Sequence, residues 1–307
     1  LIDQNYEFLD HEGLYEYYND PIRGMPILMP VGIEEFDYSK SKSEFQVDKK
    51  EFAKKIFQTN NVNYVGVKKY FQFGNIFCTG SIPKKENLDL INKLIKINDE
   101  LISLVSKLKS EGKKIISFQT RNIPHLGHEK IIEMLLEKFD IVIVNPVIGP
   151  KKSGDIKNDV LYKVFNYLSD KHYDNRIIFK PICANMFYGG PREAIHHAFL
   201  RRNVGFPSFV VGRDHAGAEN NFGPEEAINT IRSVENEIGI NIITHMGSYY
   251  NNSTKKIVIK DQSNKEDELL NISGTEFREC IKKKNFFIHA RKELQDFLLS
   301  YEGDLFY

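Results

Sequence analysis

The sequence predicts an α/β protein whose main part is a parallel sheet covered by helices, and three observations carry that reading. After Lys113, short apolar runs alternate with amphipathic segments of helical length. The runs are continuously apolar rather than alternating, as expected of strands buried on both faces. Residues 1–83 differ: their runs are broken by glycine and proline and are dense in aromatic residues, the pattern of a small β-rich domain.

Taken in order, the first region offers the runs Tyr64–Val67 and Ile76–Thr79, punctuated by Gly66, Gly74, Gly80 and Pro83, with one helix around Lys49–Phe57. From Glu86 to Lys109, the apolar residues Leu88, Ile91, Leu94, Ile95, Leu101, Ile102, Val105 and Leu108 follow helical spacing, and Gly112 closes the segment as a linker or core-packing helix. Strands are then expected at Ile115–Phe118, Ile141–Asn145, Ile177–Pro181, Phe209–Gly212 and Asn241–Thr244. Helices are expected between them at Glu129–Lys138, Asp159–Ser169, Arg192–Asn203 and Pro224–Glu237. Ligands of such sheets bind beyond the C-terminal ends of the strands. The expected divisions are 1–110 (β-rich domain plus linker helix), 111–245 (main α/β domain) and 246–307 (a short helical C-terminal subdomain).

Bulk properties narrow the classes. A chain of 307 residues suggests about two domains. Lys+Arg and Asp+Glu both number 42, so no basic excess points to nucleic acid or to an anionic membrane. No apolar run approaches the roughly 18 residues needed to span a bilayer. Three widely spaced cysteines, Cys78, Cys183 and Cys280, suit reduced thiols better than a disulfide framework or a metal motif. The opening Leu1-Ile2-Asp3-Gln4 lacks both a signal-peptide pattern and an initiating Met. A cytoplasmic location is the expectation.

The chemistry concentrates in three segments. Gln119-Thr120-Arg121-Asn122-Ile123-Pro124-His125-Leu126-Gly127-His128 lies where a strand ends and a helix begins, a place that offers free N–H groups and a positive dipole end to a phosphate. Gly127 is read as room for an anion to reach the backbone. His128-Glu129-Lys130-Ile131-Ile132 lacks the second histidine of a zinc-binding helix. Gly212-Arg213-Asp214-His215-Ala216-Gly217 adds a guanidinium and backbone donors for an oxyanion, though a salt-bridged turn explains it equally well. Ile272-Ser273-Gly274-Thr275-Glu276-Phe277-Arg278 opens a short helix with a cap-like residue and places a base one turn in; capping alone accounts for it. Gly149–Asp155 reads as a solvated basic loop, and of His196 and His197 one is expected packed and one exposed. Neither a P-loop nor a Gly-x-Gly-x-x-Gly fingerprint is present.

Together these segments resemble the ATP sulfurylase (sulfate adenylyltransferase) family of the nucleotidylyltransferase superfamily. Gln119–Glu129 is similar to its Gln-Thr-Arg-Asn…His-x-x-His-Glu block, Gly212–Gly217 to its Gly-Arg-Asp-His-Ala-Gly block, and Ile272–Arg278 to its Ile-Ser-Gly-Thr-x-x-Arg segment. Asn145–Ile156 and Gly190–Ala194 are also similar, and clear coverage runs from about Phe118 to Cys280. The resemblance implies a Rossmann-like catalytic domain at 111–245 and a PUA-like fold for the β-rich domain. It implies adenylyl transfer from MgATP to sulfate, giving adenosine 5′-phosphosulfate and pyrophosphate without a covalent intermediate. It assigns sulfate to Gln119, Arg121 and the N–H of Ala216; reacting groups to Thr120, Arg121, Asn122, His125 and His128; and ATP to Gln119, Asn122, His125, His128, Gly212, Arg213, Asp214, His215 and Gly247. Magnesium would arrive with ATP, and the family forms homo-oligomers. Three departures stand out: Pro124 directly precedes His125, Phe187 stands where an arginine is usual, and Thr244–Leu270 holds no cysteine, so no structural zinc is expected. His-x-Gly-His is shared by nucleotidylyltransferases at large, which keeps open another acceptor, such as a phosphate ester. A non-catalytic nucleotide-binding protein also stays open.

Overall fold

The structure, a computed structural model, describes residues 36–37, 43–46, 48–72, 76–79, 82–83, 88–148, 156–184, 188–215, 221–264 and 267–306. The Gly149–Asp155 loop, Phe187, Ala216 and Gly217 fall outside them, as does most of the region expected to be β-rich.

The N-terminal region contributes short strands β1 (Phe36–Asp37), β2 (Ser43–Gln46), β3 (Ile76–Thr79) and β4 (Ile82–Pro83) and helices α1 (Lys49–Phe57), α2 (Val65–Gln72) and α3 (Leu88–Ser110). Strands β2 and β3 pair antiparallel, with Phe45 opposite Phe77. The expected run Tyr64–Val67 is largely helical. Its β-branched and aromatic residues favour a strand, yet Tyr64, Val67 and Tyr70 recur every three residues and are all buried. Tyr64 and Tyr70 both meet the Phe57 ring, at 6.4 and 5.9 Å, so burial of that stripe overrides local propensity. Helix α3 ends at Ser110 and the chain turns away at Gly112, whose φ of +73° suits a residue without a side chain.

The strand–helix alternation follows the expected order: β5 (Ile115–Phe118), α4 (Leu126–Leu136), β6 (Ile141–Val144), β7 (Val147–Ile148), α5 (Asn158–His172), β8 (Ile177–Phe179), β9 (Ile182–Cys183), α6 (Glu193–Val204), β10 (Ser208–Gly212), α7 (Glu226–Arg232), α8 (Glu235–Ile238) and β11 (Asn241–His245). Five of these strands form a sheet in the order β11-β10-β5-β6-β8. Strand β6 runs parallel to both β5 and β8, with Val144 opposite Phe118 on one side and Phe179 on the other. All four residues of β5 are buried, as a strand covered on both faces requires.

Residues 246–307 depart from a purely helical expectation. Strands β12 (Ser248–Asn251), β13 (Lys256–Ile259) and β14 (Leu269–Asn271) form an antiparallel sheet before helices α9 (Gly274–Lys282) and α10 (Lys292–Leu299). Asn251 turns the β12–β13 hairpin, its Oδ1 accepting the N–H groups of Ser253 and Thr254, both at 3.0 Å. With only three or four residues each, these strands carry too short an alternation to read as a pattern.

The chain divides into two compact units. One holds Leu1–Val105, Val147–Pro150 and Ile182–Ile243; the other holds Ser106–Pro146, Lys151–Pro181 and Thr244–Tyr307. The Gln119–His128 and Ile272–Arg278 segments belong to the second unit, Gly212–His215 to the first.

Candidate active site

In the second unit, the loop after β5 carries five of the expected residues. Arg121 is exposed and Thr120 is buried, its Oγ1 accepting the N–H of Asn122 at 3.2 Å. Gln119 is half-buried and its Oε1 is buried without a hydrogen-bond partner. Such an amide is an incomplete polar group, and a ligand oxyanion facing its N–H₂ after a flip would complete it.

His125 caps helix α4, which begins at Leu126, three residues earlier than periodicity alone locates it. Its φ of −115° and ψ of 172° are extended, and its Nδ1 accepts the N–H groups of Gly127 at 3.1 Å and His128 at 3.4 Å. In return the His125 N–H donates to His128 Nδ1 at 3.4 Å, closing a reciprocal box made of two imidazoles instead of serine and glutamate. The Leu126 N–H donates to the His289 carbonyl at 2.8 Å, and the Glu129 N–H to the His125 carbonyl at 3.1 Å. The helix N-terminus therefore offers no free amides; what an anion can meet is the imidazoles themselves. Gly127 also proves to have another cause. A Cβ there would come within 2.5 Å of Ser248 Oγ and 2.9 Å of the His125 ring, so the space is claimed by the protein's own side chains.

Both rings use Nδ1 as acceptor, so each carries its proton on Nε2. His128 Nε2 stands 3.5 Å from Thr120 Oγ1. Burial, with the neighbouring His128 and His289, lowers the His125 pKa to about 2; burial and His245 lower that of His128 to about 4. Both are neutral near pH 7 and act as hydrogen-bond donors, not as cations.

Two further segments of this unit meet the loop. Arg278 Nη1 donates to Asn122 Oδ1 at 2.7 Å and its Nη2 to Thr275 Oγ1 at 3.1 Å. Ser273 caps helix α9 through the Glu276 N–H, at 3.2 Å. Gly274 leaves room for Asn122, which a Cβ would approach to 3.4 Å. Gly247 has φ +88° and donates its N–H to His245 Nδ1 at 3.1 Å. Beneath the histidines, buried Glu129 Oε2 accepts from Tyr173 Oη at 2.8 Å and from Arg291 Nε at 2.7 Å. His245 and Arg291 received no site role in the sequence reading, and Arg278 was noted there without one. Only Arg278 left a signal, as the base one turn into a capped helix.

In the first unit, Gly212 ends β10, and Arg213, Asp214 and His215 follow it as a turn. Asp214 is left-handed at φ +53° and its N–H donates to the Pro224 carbonyl at 2.8 Å. His215 Nε2 lies 3.0 Å from His197 Nδ1. His196 and His197 are both buried, against the expectation of one exposed, because α6 is enclosed along its first seven residues.

The ATP-sulfurylase family model matches residues 101–293, which include the Gln119–His128 loop, the Gly212–His215 turn and Arg278. The chain belongs to the ATP-sulfurylase family. A sulfate adenylyltransferase of Pyrococcus abyssi is 40% identical over 185 residues, 60% of this chain and 48% of that protein. One of Thermococcus onnurineus is 35% identical over 240 residues, 77% of this chain and 62% of its own length. One of Ignicoccus hospitalis is 34% identical over 262 residues, covering 84% and 68%. The chain thus spans between 48% and 68% of these three family members. No helix among the described residues is long and apolar enough to cross a membrane.

Proposed function

We propose that this chain transfers the adenylyl group of MgATP to inorganic sulfate, giving adenosine 5′-phosphosulfate and pyrophosphate by direct in-line attack. The observation that most supports this is the 2.7 Å bond from Arg278 to Asn122, which joins two family motifs 156 residues apart in sequence. Sulfate is a weak dianionic nucleophile approaching an anionic phosphorus, so acceleration has to come from positioning and from donors aimed at the developing charge.

In this reading Arg121 and the Gln119 amide hold sulfate, with the N–H of Ala216. Thr120 and Asn122 border the reacting phosphorus, and Arg278 fixes the Asn122 amide. The Nε2–H groups of His125 and His128 donate to the triphosphate, and a bound polyphosphate would raise their affinity for protons. Gly212, Arg213, Asp214, His215 and Gly247 serve the nucleotide. The donor set is nitrogen-rich and cationic, suited to anions, whereas magnesium prefers oxygen ligands and keeps several waters. The metal accordingly enters as MgATP, and no site for zinc is assigned. A PUA-like N-terminal fold, the boundaries at 110/111 and 245/246, a homo-oligomeric state and a cytoplasmic location belong to the same proposal.

The test is ATP formation from adenosine 5′-phosphosulfate, pyrophosphate and magnesium, followed by luminescence. We expect a robust signal that Arg121→Ala reduces about 10²- to 10³-fold, the loss seen when a key oxyanion donor is removed. Near-parental turnover in Arg121→Ala, or silence from folded chain that binds ATP, would sink the reading. Pyrophosphate release with a phosphate ester and no sulfate would reassign the acceptor.

A further inference from the structure

Helix α6 carries Glu193, His197 and Arg201 at steps of four, so the three share one side of the helix, and none has measurable exposure to solvent. Ionisable groups so enclosed are costly unless they satisfy one another. Glu193 Oε2 accepts the Gly189 N–H at 2.8 Å, and its Oε1 lies 3.2 Å from His197 Nε2, close but off the ideal hydrogen-bond line. His197 Nδ1 is 3.0 Å from His215 Nε2. Arg201 donates from Nη1 to the His197 carbonyl at 3.4 Å and lies 5.1 Å from the Phe209 ring centroid. His215 also meets that ring, edge-on at 5.6 Å.

Proton placement follows from these neighbours. A carboxylate only accepts, so His197 turns its one proton toward Glu193 at Nε2 and keeps a lone pair on Nδ1. His215 must then donate across the 3.0 Å gap from Nε2. A second proton on His197 is opposed by burial and by Arg201, which lower its pKa well below the ordinary value. The residue before His215, Asp214, holds a left-handed conformation that costs a non-glycine residue about 1 kcal/mol or more and needs outside support.

We propose that Glu193 and His197 are positioning residues that fix His215 as its Nε2–H tautomer and thereby hold the Gly212–His215 turn in the shape it presents to nucleotide. The tautomer follows from the geometry alone; the nucleotide rests on the adenylyl-transfer reading. Neither residue contacts substrate in this scheme.

Long-range proton–nitrogen NMR of the full chain labelled in its histidines tests it, with His215 identified by its loss in His215→Gln. We expect a single Nε2–H tautomer at His215. Glu193→Gln, whose amide can donate to His197 Nε2 and reverse the chain, should abolish that single tautomer. His197→Leu should do the same by cutting the link, and His197→Gln should restore it through its side-chain carbonyl. With adenosine 5′-phosphosulfate and pyrophosphate, Glu193→Gln and His197→Leu should lower kcat/KM about 10- to 100-fold, the usual loss when the group orienting an imidazole is removed. An Nδ1–H tautomer at His215, or an unchanged tautomer in both variants, overturns the positioning role. A changed tautomer with unchanged turnover overturns its consequence for the turn. An inactive parent with the expected tautomer instead indicts the adenylyl-transfer reading.

Discussion

Helices α4 and α6 each combine a buried glutamate with a pair of histidines, and they use the same parts in opposite ways. On α4, Glu129 turns to Tyr173 and Arg291, while each of the two imidazoles accepts the backbone N–H of the other's residue. On α6, Glu193 lies against His197, which passes the constraint to His215 in the following turn. One acid anchors a helix; the other orients a ring. A glutamate near histidines is therefore no sign of a relay until its other partners are known.

The largest expected effect tests the anchor. Glu129→Ala takes from the Arg291 guanidinium, which is 27% exposed, its closest carboxylate, leaving it Glu293 at 3.9 Å, and takes from the Tyr173 hydroxyl its buried acceptor, so we expect a loss of about 3 kcal/mol in denaturant unfolding with the His125 tautomer unchanged. A loss under about 1 kcal/mol would erase the contrast between the two acids. Next comes pH. The folded-state values of about 2 for His125 and about 4 for His128 lie below the ordinary 6.5, so the folded chain resists protons that the unfolded chain accepts. Stability should be full above pH 6.5 and fall as pH drops, at up to about 1.4 kcal/mol per unit for each ring, or on the order of 2–4 kcal/mol by pH 5. A flat thermal-melting profile from pH 7 to 5 would contradict it.

Smaller effects sharpen the α4 side. Gly127→Ala should cost about 1–3 kcal/mol, because its Cβ overlaps Ser248 Oγ and the His125 ring. Adding Ser248→Ala should recover only part of that in a double-mutant cycle, since the ring remains. Smallest in stability, His125→Ala should lose about 1 kcal/mol as a missing cap, whereas His125→Asn, itself a good cap, should lose little and yet lower turnover by about 10²-fold. It should also flatten part of the pH slope.

Much of this was legible in the sequence, for reasons specific residues make plain. Strands β5, β6, β8, β10 and β11 were expected within two residues at each end, because Ile115–Phe118 and its companions are uncharged, largely apolar runs between helical segments. Periodicity starts helix α4 at Glu129 because histidine is not among the usual capping residues, yet in the fold His125 takes that role. The expected Pro224–Glu237 helix is two pieces, parted at Ser233–Val234. Residues 119–128 announced a site, but that its amides are already taken depends on the His125 ring and, for Leu126, on the carbonyl of His289, 163 residues further along the chain. The Glu193–His197–Arg201 stripe was present as a spacing, yet a polar stripe reads as solvent-facing until the helix is found enclosed.

That stripe also behaves as a ruler. Steps of four residues advance about 6 Å along the axis and return to nearly the same bearing, so acid, imidazole and guanidinium keep their alignment only while the helix keeps its count. One residue inserted between Glu193 and Arg201 would swing everything beyond it by about 100° and part the carboxylate from the ring or the ring from the guanidinium. Within this family, length variation should therefore collect in the segments around α6 and leave its first two turns alone.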